Sequence, residues 1–104
     1  MPGFAAVLIL PLLLLLPLPA AAQTPPRGDC AAPKARTDLA HCDFSRRKLA
    51  GLDLAGVRLA GAKLESADLR RADLRGADLR GANAKWAKFD GSRLAGADFS
   101  NADL

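Results

Sequence analysis

The sequence predicts an all-β solenoid, a chain wound in short repeated coils around a packed axis. Three observations carry this prediction. The unit Ala-Asp-Leu-X-X returns every five residues between Leu64 and Leu79, and a short internal period marks a repeat architecture. A large apolar residue holds one place in the unit, and a small residue holds the place two before it. Gly recurs two places after the large residue, at Gly51, Gly56, Gly61, Gly76, Gly81, Gly91 and Gly96.

A period of five fits neither regular element. On a helix of 3.6 residues per turn, each step of five rotates the leucine away from its predecessor. On a continuous strand, odd steps change faces. The leucines share one side only if the chain turns in every repeat. A short extended piece followed by a corner meets this condition. Within one piece Ala67 and Leu69 point inward, and Asp68 between them points out. The last two residues of the unit form the corner, where Gly tolerates unusual dihedrals.

With these residues in place, the sequence resembles the pentapeptide-repeat family, whose repeat is A(D/N)LXX. The resemblance runs from Thr37 to Leu104. It implies a right-handed quadrilateral β-helix with four repeats per coil, so that residues 37–104 make about three coils. The central residue and the small residue two before it would then fill the interior. The central positions are Leu39, Phe44, Leu49, Leu54, Leu59, Leu64, Leu69, Leu74, Leu79, Ala84, Phe89, Leu94, Phe99 and Leu104, and Ala84 alone lacks bulk. The small positions run from Ala62 to Ala102 with Ser92 among them. The earlier ones, Thr37, Cys42, Arg47, Leu52 and Val57, depart from the pattern. Arg47 is acceptable inward only at the mouth of a terminal coil, where its head reaches water.

Charge supports four repeats per coil. Residues twenty apart would stack at roughly 4.8 Å. That places Asp68 between Lys48 and Lys88, Arg70 over Asp90, Asp73 over Arg93, and Arg58 between Asp38 and Asp78. Asp53 over Asp73 and Asp78 over Asp98 are the like-charged exceptions.

The chain divides into three parts. Residues 1–22 read as a cleaved export signal: Phe4–Leu18 is apolar and uncharged, and Ala20-Ala21-Ala22 before Gln23 fits a small-x-small cleavage site. An uncleaved anchor is the alternative. The run falls short of the about 20 apolar residues of a comfortable span, and Pro11, Pro17 and Pro19 interrupt it. No Lys or Arg lies near the start, which suits neither reading. After cleavage no membrane span is expected. Residues 23–36 form a Pro-rich linker and N-terminal cap, and residues 37–104 the solenoid. The net charge of +4 lies wholly in the mature chain.

Cys30 and Cys42 are the only cysteines. In an exported chain they suggest a disulfide, and a bridge would pin the linker over the open end of the first coil. Two free thiols or an intermolecular bridge are the alternatives. No metal or cofactor is expected, because His41 is the only histidine. Arg27-Gly28-Asp29 spells an adhesion tripeptide, which a flexible linker produces by chance. Trp86 and Arg71 take the corner position and should project outward. Trp86 either lies over the coil wall beside the Ala84 gap or serves, with Arg71, as an exposed contact.

Catalysis is poorly supported: the chain has one histidine and no Tyr, and no serine has a base arranged beside it. The basic run Arg70, Arg75, Arg80 and Lys85 would fall one per face, a belt instead of a nucleic-acid-binding patch. The expectation is a non-catalytic structural or protein-interaction module of the bacterial periplasm or exterior, with an unidentified protein partner. An end-to-end homodimer through the open C-terminal coil is one form of it. The alternative is a basic module adsorbing to anionic cell-surface polymers. Some family members resemble duplex DNA and bind DNA gyrase. That role depends on an acidic surface, and this chain is basic, so it ranks third.

Overall fold

A computed structural model describes residues 24–104. The segment 1–22 and the cleavage site between Ala22 and Gln23 lie outside the described residues. From Asp38 to Asp103 every repeat joins a parallel bridge to a residue twenty places away. Four ladders result. Asp38, Arg58, Asp78 and Asp98 form the first, and Asp43, Lys63, Asn83 and Asp103 the second. Lys48, Asp68 and Lys88 form the third, and Asp53, Asp73 and Arg93 the fourth. A coil therefore holds four repeats.

The backbone explains the period. The N–H of each small residue donates to the carbonyl of the preceding central residue, as in Ala77 to Leu74 at 3.0 Å. This closes a β-turn whose third residue is the corner. From Arg46 to Asn101 every corner residue has positive φ, between 58° and 74°. A type II turn requires this at its third position, which is why Gly dominates there. The turn takes the central residue, the two after it and the next small residue. One residue is left over to bridge. The sequence reading gave each side a short extended piece. In the structure that piece is a single bridged residue, and no continuous strand forms among the described residues.

The bridge residue, the central residue and the corner residue each donate their N–H to an adjacent coil. Asp73 donates to the Leu52 carbonyl, Leu74 to that of Arg93, and Gly76 to that of Ala95. Where the bridge residue is Asp or Asn, its side chain answers the remaining N–H, just after the central residue. The Asp73 carboxylate accepts from Arg75 N–H at 3.2 Å, and Asp68 and Asp78 accept from Arg70 and Arg80 in the same way. The Asp or Asn of the unit thus completes the donor accounting of the repeat.

Central and small residues meet on the axis. Leu39, Phe44, Leu49, Leu54, Leu59, Leu64, Leu69, Leu74 and Leu79 are buried, as are Cys42, Val57 and the alanines from Ala62 to Ala82. Ala84 is buried too. Fully burying a Leu stabilises by about 1.5–3 kcal/mol, so the column of leucines is the main cohesive term. Phe89 and Phe99 are half-buried and meet edge to face, with centroids 5.6 Å apart. Leu94 and Leu104 correct the expectation of an inward column, at 39% and 71% exposed. Both lie in the last described coil.

At the other end, residues 26–32 lie on the first coil. Gly28 N–H donates to the Asp38 carbonyl at 2.9 Å, and Asp38 N–H to that of Pro26 at 2.7 Å. Arg27 extends the first ladder below Asp38. A Cβ on Gly28 would stand 2.6 Å from Leu39 Cδ2, so only Gly lets this segment press so closely onto the coil.

Candidate functional site

The N-terminal end is stapled covalently. Cys30 and Cys42 form a disulfide with a Cα separation of 5.5 Å. Arg47 reinforces it: its Nη1 donates to the Cys30 carbonyl at 3.0 Å, and its guanidinium lies 5.3 Å from the Phe44 ring centre. Arg47 is half-buried, so its head keeps access to water and gains a carbonyl on the cap and an aromatic face as further partners. Nothing in the sequence signalled this contact, because Cys30 and Arg47 are joined only through the fold. The Gly28 of the Arg-Gly-Asp tripeptide is held against Leu39, and Asp29 caps its own turn by accepting from Ala31 N–H.

The wall carries paired charges. Arg70, Arg75 and Arg80 each grip the aspartate two residues before them with both Nε and Nη2, at 2.6–2.9 Å. Cross-coil stacking had suggested Asp90 for Arg70. The local aspartate wins because its carboxylate already accepts the arginine's own N–H, so the guanidinium folds back onto both oxygens. The triplet Asp-Leu-Arg, written three times from Asp68 to Arg80, is the signal that the stacking argument passed over. Arg58 does pair across coils, with Asp38 at 3.1 Å. The grips hold the Asp68 carboxyl far below its usual range and Asp73 at about 2, chiefly through the arginine side-chain hydrogen bonds. Groups so acidic are poor proton donors near neutral pH.

Arg71 and Trp86 both have positive φ and both face solvent, Trp86 at 73% exposure. They stand on different corners. The Arg71 stem runs up beside Gly91, where a Cβ would meet it at 3.3 Å. Arg70, Arg71, Asp90 and Gly91 line a shallow open hollow that does not include Trp86.

The last coil differs from the rest. Among the described residues, the N–H groups of Phe89, Leu94 and Phe99 have no partner, whereas the corresponding groups one coil earlier all do. The exposed flanks of Leu94 and Leu104 sit on the same rim. Apolar side chains beside unpaired backbone donors are what an edge offers to a partner.

The family model for pentapeptide repeats matches residues 37–76 and 67–104, with eight copies. The chain belongs to the pentapeptide-repeat family. Among solved structures, the chain is similar to a pentapeptide repeat protein, Rfr23, of the cyanobacterium Cyanothece 51142. Identity is 34% and the TM-score 0.54, over 65% of this chain and 44% of that one. It is also similar to HetL of Nostoc sp. strain PCC 7120, a pentapeptide repeat protein involved in heterocyst differentiation regulation. There identity is 32% and the TM-score 0.45, over 65% of this chain and 34% of that one. A pentapeptide repeat protein of the Arabidopsis thaliana thylakoid lumen is 28% identical at a TM-score of 0.33, over 82% of this chain and 79% of that one. The pentapeptide-repeat chain described here matches less than half the length of the first two. No curated protein matches it. Pentapeptide-repeat proteins are generally non-catalytic interaction modules. No helix among the described residues is long and apolar enough to cross a membrane.

Proposed function

We propose that this pentapeptide-repeat chain is a non-catalytic interaction module of the bacterial periplasm or exterior, wound in the right-handed sense its family implies. Its partner surface is the rim of the last coil, and its partner there is a second copy of the chain. The observation that supports this is the asymmetry of the two ends. One is covered by residues 26–32 and a disulfide. The other presents Leu94, Leu104 and unpaired N–H groups. A second copy offers the same spacing of backbone groups and the same apolar flanks, so a two-fold contact would be self-complementary.

Adsorption to an anionic polymer is the weaker reading. It draws on the +4 charge, yet Arg70, Arg75 and Arg80 are each occupied by an aspartate. Sedimentation of the mature chain at low and high salt separates the two. Apolar pairing persists as salt rises, and charge-driven adsorption fades once the Debye length falls to a few ångströms. A chain that stays monomeric at both salts and binds an anionic polymer only at low salt would replace the first reading with the second.

A further inference from the structure

Three metal-ligating side chains converge at the cap. The sulfurs of Cys30 and Cys42 and a ring nitrogen of His41 all lie within 4.8 Å of one another. In the oxidised chain the two sulfurs are bonded to each other and cannot act as thiolates. We propose that, once a dithiol reduces the Cys30–Cys42 bond, these three side chains bind one thiophilic divalent cation of the zinc class. The metal then takes over from the disulfide as the staple of the cap.

The geometry is close to what such an ion needs. Zinc takes Cys sulfur at about 2.3 Å and His nitrogen at about 2.0–2.1 Å in a tetrahedral arrangement, which sets sulfur and nitrogen roughly 3.6 Å apart. His41 Nε2 already stands 3.7 Å from Cys42 Sγ. Cutting the sulfur–sulfur bond lets the two thiolates part to the roughly 3.8 Å that the same geometry requires.

The site stays assembled when the bond is cut. Gly28 N–H to the Asp38 carbonyl and Asp38 N–H to the Pro26 carbonyl tie the cap to the coil. Arg47 Nη1 holds the carbonyl of Cys30 itself. These contacts keep Cys30 over Cys42 without a covalent link. Cys42 is buried and His41 is exposed, so an ion enters from the His41 side and its fourth position is left to water. Two thiolates then cancel the charge of the ion, so Arg47 faces a neutral centre.

The chemistry balances. The dithiol is oxidised to its cyclic disulfide, and its two hydrogens pass to the sulfurs of Cys30 and Cys42. Binding the cation releases two protons, one from each thiol, and His41 binds as the neutral imidazole. The inference does not rest on pairing through the last coil.

Cobalt(II) added anaerobically to the dithiol-reduced full chain is the test, followed by zinc displacement. The expected result is one cobalt per chain, bound with release of two protons and a sulfur-to-metal charge-transfer band, which zinc bleaches by displacing the cobalt without further proton release. The oxidised chain should show no band. His41→Ala should keep the circular dichroism of the parent and weaken cobalt binding by more than about tenfold, beyond what loss of an outer-shell partner costs at the low end. The absence of a charge-transfer band in the reduced chain, folded or unfolded, would overturn the proposal. So would unchanged affinity in His41→Ala.

Discussion

Arg75 holds Asp73 by both oxygens: Nε donates to Oδ1 at 2.9 Å, and Nη2 to Oδ2 at 2.6 Å. The same carboxylate accepts the Arg75 backbone N–H. Three donors from one residue thus converge on one aspartate, and Asp68 and Asp78 repeat the arrangement. These carboxyls are depressed in the folded chain, with Asp73 at about 2 against an ordinary 3.8. A depressed folded value stabilises above the unfolded value and is lost as pH falls through the folded one. Thermal melts should therefore be flat above about pH 5 and decline from about pH 4 to pH 2. Asp73→Asn should soften that decline. A melting temperature unchanged down to pH 2 would contradict the role of these pairs.

The leucine column sets the second expectation. Leu74 is fully buried, and Leu104 is 71% exposed. Leu74→Ala should cost about 2–5 kcal/mol in urea unfolding. Leu104→Ala should change the stability of the monomer by no more than about 0.5 kcal/mol. Equal costs at the two positions would mean that the last coil is packed in solution as the inner coils are.

Corner residues make a third case. Gly76 has φ +68°, and a Cβ there would meet nothing within 4 Å. Gly76→Ala should therefore cost about 1 kcal/mol, from the backbone alone. Trp86 has φ 59° at a corner that Gly fills elsewhere, and its ring is largely in water. Trp86→Gly should leave stability unchanged or raise it by up to about 1 kcal/mol, since relief of the left-handed backbone offsets the added freedom of the unfolded chain. A clear loss on Trp86→Gly would show that the ring packs on the wall.

The Cys30–Cys42 bond closes a short loop, with a sequence separation of 12. Replacing both cysteines with Ser should cost about 2–3 kcal/mol by loop entropy. The first coil should then exchange its amide hydrogens faster than the inner coils. Uniform loss of protection along the chain would show that the solenoid opens as one unit, without a separable cap.

Much of this architecture was legible in the sequence, because a solenoid repeats its rule. The spacing of Leu64, Leu69, Leu74 and Leu79 forces a turn in every unit. Asp68 between two lysines gives the coil length. The positions the rule does not describe were the hard ones. Arg47 is inward by register, and its partner, the Cys30 carbonyl, lies outside the repeats. Gly28 is explained only by the nearness of Leu39. Stacking led toward Asp90 for Arg70, because charge twenty residues away was weighed without the backbone N–H that prepares Asp68 as the acceptor. Leu94 and Leu104 obey the pattern, yet their burial depends on a level above them, which register alone does not supply.

Pairing through the last coil is the central functional claim, and native mass spectrometry of the oxidised chain of residues 23–104 tests it most directly. The account predicts a dimer for the parent and a folded monomer for Leu94→Glu, which places a charge on the apolar rim. A parent that is monomeric at tens of micromolar, or a Leu94→Glu chain that still dimerises, would contradict it.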